Sequence, residues 1–464
     1  MAARGIDCGC GTWQSAATMT DTPLAAIILA AGKGTRMKSA LHKVLHPIAG
    51  KPMLGHLTDA VAALGVTRNV IVTGAGREQV EAFAAPRGLS VAVQAEQLGT
   101  AHAVRQAEAA LAGFDGDVLI LYGDVPLVTT NTMARMVARL HEDDAPAVVV
   151  LGFRPAETLA YGRIIAEHGR ILKMVEHKDA STEERAETLC NSGLMAVRSA
   201  DLWRLLAKVD NKNAAGEYYL PDIVMLANAE GRVSAVIETD PHEVAGVNSR
   251  AELAEVEALW QARRRRRAMD DGASLIAPET VWFAWDTAIG RDVTIGPNVV
   301  FGPGVAIADD VTIHAFCHLE GARVESGAIV GPYARLRPGA QIGAGAHVGN
   351  FVEIKKARLG AGAKANHLTY IGDAEVGPRT NIGAGTITCN YDGFGKYPTK
   401  IGADAFIGSN SALVAPVTIG DGAIVGAGSV VTNDVPADAL AVARGTQQNR
   451  EGWAKRFKEA KRKG

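Results

Sequence analysis

VTIGPNVVFGPGVAIADDVTIHAFCHLE (residues 293–320) carries a large apolar residue at every sixth position: Ile295, Phe301, Ile307, Ile313 and Leu319. The period starts at Ile289 and returns in Val330, Leu336, Ile342, Val348 and Ile354, then in Leu359, Ala365 and Ile371. It returns once more in Ile401, Ile407, Leu413, Ile419, Val425 and Val431. Gly commonly follows the apolar residue. A spacing of six fits neither a helix nor an alternating strand; it is the hexapeptide signature of a parallel β-helix. Each unit supplies one short strand and one corner, the apolar side chain points into the prism, and three units close a coil on which the next coil stacks. The run TCNYDGFGKYPTK (388–400) separates Ile382 from Ile401. A loop ejected from a regular solenoid is a usual place for function. A basic helical tail is expected over 451–463.

Upstream of about residue 250 the pattern differs. Short apolar runs, AAIILAAG (25–32), NVIVTGAG (69–76), VLILYGD (118–124) and AVVVLGF (147–153), alternate with helical segments such as 52–65 and 101–114. Strands alternating with helices predict a doubly wound, Rossmann-like α/β domain whose parallel sheet is covered on both faces, with ligands at the carboxyl ends of its strands. Residues 250–271 read as one helix with Leu253, Val256, Leu259 and Trp260 as its apolar stripe. The expected organisation is an extension over 1–22 (disordered), a doubly wound α/β domain over 23–250, a helical linker over 251–271, and a β-helix with its tail over 272–464.

Composition narrows the function. Of 464 residues, 47% are hydrophobic and 21% charged, as in an ordinary globular protein, and the formal net charge of −2 sets up no field favouring nucleic acid or an anionic membrane. The run Arg263–Arg267 then reads as a solvated helix face. The five cysteines, Cys8, Cys10, Cys190, Cys317 and Cys389, are scattered and fit a reducing compartment. No run approaches a membrane span, and residues 1–18 lack the apolar region of a signal peptide.

The turn Leu29-Ala30-Ala31-Gly32-Lys33-Gly34-Thr35-Arg36 follows a strand. Its glycines let backbone amides approach phosphate, although it is not a Walker motif. Further along come LHKVLHPIAGKPML (41–54), QAEQLGT (94–100), LYGDVP (121–126), YGRI (161–164), VEHKDA (175–180), NSG (191–193), GEYYLPD (216–222) and GVNSR (246–250). Their order and spacing resemble the sugar-nucleotide pyrophosphorylases. More closely, they resemble the bacterial bifunctional N-acetylglucosamine-1-phosphate uridyltransferase/glucosamine-1-phosphate acetyltransferases, over about residues 24–454. In that family the β-helix is left-handed and the enzymes are cytoplasmic homotrimers that take small-molecule substrates, without nucleic acid or membrane. The resemblance implies that Leu29, Ala30, Ala31, Gly32, Gln94, Gly99 and Thr100 hold the uridine and ribose of UTP, and that Arg36 and Lys43 hold its phosphates. Tyr122, Gly123 and Asp124 would border the sugar-nucleotide. Gly162, Glu176, Asn191 and Asn248 would face the N-acetylglucosamine side, with Asp124 and Asn248 as Mg²⁺ ligands. One carboxylate and one amide suit Mg²⁺, which keeps few protein ligands and takes the rest from phosphate and water.

In the second half, RLRPGAQIGAGAHVGNFVEIKKARLGAGAKANHLTYIGDAEVG (335–377) places Lys355, His367 and Tyr370 where a plain solenoid gains nothing from them. The resemblance makes His367 the general base that deprotonates the amine of glucosamine 1-phosphate, and gives Arg337, Lys355, Tyr370 and Asn381 to that amino-sugar phosphate. Ala384, Asn390, Tyr391, Ser409, Ala427 and Arg444 would contact acetyl-CoA or the substrate. The chain departs from the family at Asn366 and Ala101, where Gly is common. Two other readings remain: a uridyltransferase with the β-helix as a trimerising scaffold, and a nucleic-acid-binding protein using Arg263–Arg267.

Overall fold

The computed structural model describes residues 22–32 and 34–462. The extension expected over 1–22 lies, but for its last residue, outside the described residues, as do Cys8 and Cys10. The chain divides into two compact units between Trp260 and Gln261, a point inside the helix Arg250–Asp270.

The first unit is built on a nine-stranded sheet. Its strands are β1 (Leu24–Ala30), β2 (Arg68–Thr73), β3 (Ser90–Val93), β4 (Asp117–Tyr122), β5 (Val148–Phe153), β6 (Arg163–Glu167), β7 (Arg170–Val175), β8 (Cys190–Arg198) and β9 (Ser234–Thr239), in the order β3-β2-β1-β4-β8-β5-β9-β7-β6. LAAIILA has no polar side chain, so β1 is buried along its whole length. Ala25, Ile27 and Leu29 face one apolar cluster and Ala26, Ile28 and Ala30 the other, as the two-residue period of a strand requires. Helices cover both faces: Ser199–Leu206 and Asp222–Ala229 pack on the first cluster, Met53–Ala63 and Thr130–Leu140 on the second.

Two sequence expectations are modified. The sheet is mixed, because β8 runs antiparallel to both β4 and β5. The chain leaves β5 through the hairpin β6–β7 instead of a crossover helix, and re-enters the sheet with Cys190 opposite Phe153, at the end where it left. The helix expected over 101–114 ends at Arg105 and is followed by a 3₁₀ turn at Ala109–Leu111. Gln106 Nε2 donates to the His102 carbonyl, which a continuing helix would use, and the Gln106 amide turns to Ala103.

The second unit is a parallel β-helix. Thr294 pairs with Thr312, Thr312 with Ile329, Ile329 with His347 and His347 with Lys364, one coil being 17 or 18 residues. The sixth-position residues from Ile295 to Val431 are buried. Ile289 is half-buried, since its strand has a neighbouring coil on one side alone. A second inward position lies two residues earlier: Val293, Val299, Val305, Val311, Cys317, Ala322, Ala328 and Ala334 are buried too. Three residues before Ile295, Phe301, Ile307 and Ile313 the backbone turns through positive φ, at Asp292, Asn298, Gly304 and Asp310, residue types that tolerate it. Phe316, Tyr333 and Phe351 occupy the same position in successive coils and stack on one another at 4.9 and 5.2 Å. The ejected loop is tighter than the sequence implied: Ile387–Cys389 and Thr399–Ile401 are strands, which leaves 390–398 outside the coil.

Truncating one inward side chain leaves a cavity that two neighbouring coils share. Leu336→Ala is expected to lower the stability of the β-helix by about 2–5 kcal/mol, read as a shift in the urea midpoint of its circular-dichroism transition.

Candidate active sites

The carboxyl ends of β1 and β4 open on a cavity of about 310 Å³ in the first unit. Of the residues expected to hold the nucleotide, Leu29, Ala30, Ala31, Gly32, Lys43, Gln94, Gly99, Thr100, Tyr122 and Asp124 line it. Gly123 adjoins it, its amide donating to the Leu29 carbonyl at 2.9 Å. Arg36 lies outside the lining, exposed in the 3₁₀ turn Thr35–Met37. Gln97 and Glu217 also line the cavity, and no role was read for either from the sequence. Both sit inside quoted motifs, Gln97 in the same one as Gln94, Gly99 and Thr100, and Glu217 in GEYYLPD, none of whose residues had an assigned role. Gln97 Nε2 donates to the Ala31 carbonyl at 2.6 Å and so fixes the turn after β1. Gln94 is buried, with Nε2 donating to the Gly99 carbonyl at 3.1 Å. Gly99 has φ +110, and a Cβ there would lie 2.5 Å from the Tyr218 carbonyl oxygen, so glycine is required.

Asp124 and Asn248 are far apart in sequence but meet here. The Val247 amide donates to the Asp124 carbonyl at 2.9 Å, tying the two loops together. Ser249 Oγ accepts from the Glu252 amide at the start of the helix Arg250–Asp270, so the capping role falls to Ser249. The Asn248 side chain points elsewhere: Lys43 Nζ donates to its Oδ1 at 3.1 Å and lies 2.5 Å from Asp124 Oδ2. Two oxygens thus converge on one cation position, one from a carboxylate and one from an amide, a donor set that fits Mg²⁺ completed by phosphate and water.

Beyond Asp124, burial raises the Tyr122 phenol, with Asp124 and Glu176 adding to the effect. Burial also lifts Glu176 above the usual carboxylate range, reinforced by Asp179 and Asp222. Asp222 itself is pushed up to about 6, chiefly by burial. Gly162 faces the Glu176 carboxylate, and its carbonyl accepts from the Asn191 amide at 2.9 Å. Asn191 Oδ1 accepts from the Gly193 amide at 2.8 Å. Gly193, at φ +85, lets the Tyr122 ring come close, since a Cβ there would lie 2.7 Å from it.

In the β-helix, the corner position two residues past the inward apolar residue recurs at Asn350, His367, Ala384, Ser409 and Ala427, one coil after another along a single edge. His367 is exposed, and its Nδ1 lies 2.7 Å from Asn350 Oδ1. Arg444 Nη1 donates to the Ala427 carbonyl at 2.7 Å and extends the row. The adjacent corner residues change character at His367. Phe316, Tyr333, Phe351 and Leu368, all exposed, precede or adjoin it, and Gly385, Asn410 and Gly428 follow. Past His367 the edge is therefore cleared of bulk.

Arg337, Lys355 and Tyr370 belong to the neighbouring face, where Arg335, Glu353 and Tyr370 stand in register. Arg337 pairs with Glu353 at 2.8 Å. Lys355 is crowded by Lys396 of the ejected loop, which lowers its pKa, with Arg337 adding to the effect. Such a cluster of cations is poised for an anion. Lys396 was not singled out from sequence, since only the fold of the loop brings it to Lys355. Asn390 is buried, with Nδ2 donating to Asp373, and the Tyr391 hydroxyl donates to the Gly393 carbonyl. Asn381 lies on the other face, in register with Lys364 and Phe406. The cavity beside His367, about 460 Å³, is lined by none of Arg337, Lys355, Tyr370 and Asn381. That cavity does not gather these groups around the histidine.

The arginine run is engaged within the fold. Arg264 donates to the Thr287 carbonyl and covers the Phe283 ring, Arg265 donates to the Val281 carbonyl, and Arg266 and Arg267 pair with Asp270 and Asp271. Among the described residues Cys190, Cys317 and Cys389 are free thiols. No described helix is long and apolar enough to cross a membrane.

Residues 26–274 match the family of MobA-like NTP transferase domains. Residues 286–321, 321–356 and 398–433 match the bacterial transferase hexapeptide repeat. The bifunctional protein GlmU of Rhizorhabdus wittichii is 73% identical over 443 residues, which is 95% of this chain and 98% of its own. The chain belongs to the bifunctional GlmU family. GlmU of Novosphingobium aromaticivorans is 66% identical over 96% of this chain and 98% of its own, and GlmU of Zymomonas mobilis 59% identical over 95% and 99%. Among solved structures, a UDP-glucose pyrophosphorylase complexed with UDP-glucose aligns at 19% identity with a TM-score of 0.43, over 52% of this chain and 100% of that one. As a GlmU-family enzyme the chain is a bifunctional nucleotidyltransferase and acetyltransferase of UDP-N-acetylglucosamine synthesis.

Gly193 gives the nucleotidyltransferase site a direct test. Gly193→Ala forces both the Tyr122 ring and a left-handed backbone to move, and is expected to lower kcat/KM for uridylyl transfer about 10²-fold, measured by pyrophosphate release, with acetyl transfer unchanged.

Proposed function

We propose that the two cavities divide the work as follows. In the first unit, the Gln94 amide and the backbone of Leu29 to Gly32 hold the uracil and ribose of UTP, with Thr100 beside them. Lys43 holds the phosphates, and Arg36 reaches them from the turn that follows β1. Asp124 and Asn248 hold Mg²⁺, which when bound neutralises phosphate charge and orients the triphosphate. Gly162, Glu176 and Asn191 seat the N-acetylglucosamine of the second substrate. An oxygen of N-acetylglucosamine 1-phosphate bonds to the α-phosphorus of UTP, the bond from that phosphorus to the β-phosphate oxygen breaks, and pyrophosphate leaves. Anion meets anion in this step, so positioning and neutralising charge are the protein's main contribution.

In the β-helix, Asn350 Oδ1 accepts the Nδ1 proton of His367, which fixes the tautomer and leaves Nε2 with a free lone pair. That nitrogen takes a proton from the amine of glucosamine 1-phosphate. The amine attacks the thioester carbonyl of acetyl-CoA, and coenzyme A leaves as its thiol. Arg337 and Lys355, with Lys396, hold the sugar phosphate, and Tyr370 and Asn381 its ring. Acetyl-CoA runs along the cleared edge past Ala384, Ser409 and Ala427 toward Arg444, with Asn390 and Tyr391 beside it. Acetyl transfer comes first and its product is the acceptor for uridylyl transfer.

The chain works as a homotrimer in the cytoplasm, where UTP and acetyl-CoA are made. Support for the trimer comes from the scattered acetyltransferase residues: another copy has to complete the site around His367. The observation that carries the whole reading is the row Asn350, His367, Ala384, Ser409 and Ala427 on one edge, with a cationic cluster on the next face.

His367→Ala is expected to lower coenzyme A thiol release about 10²-fold or more while pyrophosphate release from UTP and N-acetylglucosamine 1-phosphate is unchanged. Asn350→Ala lowers kcat for thiol release less, and leaves KM for glucosamine 1-phosphate in place. Loss of both reactions with His367→Ala would contradict the two-site reading. Light scattering of the full chain is expected to give three times the chain mass; the mass of one chain would overturn the shared-site arrangement.

A further inference from the structure

We propose that Lys43 is a built-in occupant of the divalent-cation position, and that it must leave before the metal enters. The idea rests on the reading of Asp124 and Asn248 as metal ligands. Lys43 Nζ lies 2.5 Å from Asp124 Oδ2 and 3.1 Å from Asn248 Oδ1. The Lys43 and Asp124 side chains are only 12% and 17% exposed. A carboxylate so enclosed and without a counter-ion is costly, and an ammonium supplies one. Lysine suits the place better than arginine: its charge is compact and its three donors point in several directions, as a bare cation's field does.

Lys43 is also held near the phosphate-binding turn. Its Nζ lies 4.0 Å from where a Cβ on Gly32 would stand, and its Cβ 2.8 Å from one on Gly34. The same side chain can thus face the oxygen pair or the phosphates of a nucleotide. With the cavity free of nucleotide, the ammonium balances Asp124. When a triphosphate enters, the ammonium has a second anion to pair with, and the oxygens are released to the metal. Metal and nucleotide loading are then coupled through one side chain, and metal alone binds weakly.

The test uses the full chain and Mn²⁺ as the probe, counted by electron paramagnetic resonance without nucleotide. Lys43→Met and Lys43→Gln, which remove the charge, are expected to bind Mn²⁺ about tenfold or more tightly than the unaltered chain, within the usual range of coupling between two ligands. Lys43→Arg keeps the charge and should stay weak. Asp124→Asn in the Lys43→Met background should lose the gain. If both neutral variants bind Mn²⁺ no better than the unaltered chain, while Asp124→Asn still abolishes what binding there is, Lys43 is not a competitor and the proposal fails. If Mn²⁺ binding is indifferent to Asp124→Asn, the metal position itself is wrong, which is a failure of the underlying reading.

Discussion

A coil of the β-helix has to close in 17 or 18 residues so that its inward side chains land on those of the coil below, and the acetyltransferase half depends on that register. The apolar residue and the small or β-branched one two places before it fill the prism. What remains of each hexapeptide is the corner, and corners in successive coils stack. That is why Asn350, seventeen residues from His367, is its hydrogen-bond partner. It is also why Ala384, Ser409 and Ala427 continue the same line. The one interruption is local: between Asn381 and Phe406 the coil takes 25 residues, and the surplus leaves as the loop that brings Lys396 to Lys355.

The nucleotidyltransferase half obeys a different constraint, charge compensation in a confined space. β1 and β4 are parallel and adjacent, so the turns that follow them open side by side. Backbone and small residues make most of that wall, which leaves room for a nucleotide. The acidic groups beyond it, Glu176 and Asp222, are held above their ordinary range by burial, and Asp124 is balanced by Lys43. A site with so few cations of its own needs a counter-ion for a triphosphate, which is the role proposed for Mg²⁺.

Much of this was legible in the sequence, for physical reasons. A six-residue period over many turns has one common structural meaning, and a β-strand without a polar residue belongs in the middle of a sheet. The second inward position was not legible because Val, Ala, Cys and, at Ser411 and Ser429, Ser fill it, and these share no single hydropathy. Antiparallel β8 was not legible, since an apolar run reads the same in either direction. Long-range contacts were the least accessible. Lys43 and Asn248 are 205 residues apart, and neither pattern nor propensity joins them; the family resemblance named both residues but not their contact. Lys396 shows the same limit on a smaller scale, its role emerging only where the loop folds back.

The account rests most heavily on the claim that one edge of the β-helix is the acetyl-transfer track. A crystal structure of the full chain grown with coenzyme A and glucosamine 1-phosphate tests it most directly. The expected density has the thiol beside His367, the remainder of coenzyme A running along Ala384, Ser409 and Ala427, and the sugar phosphate against Arg337, Lys355 and Lys396. Coenzyme A bound on another edge, with nothing near His367, would contradict it.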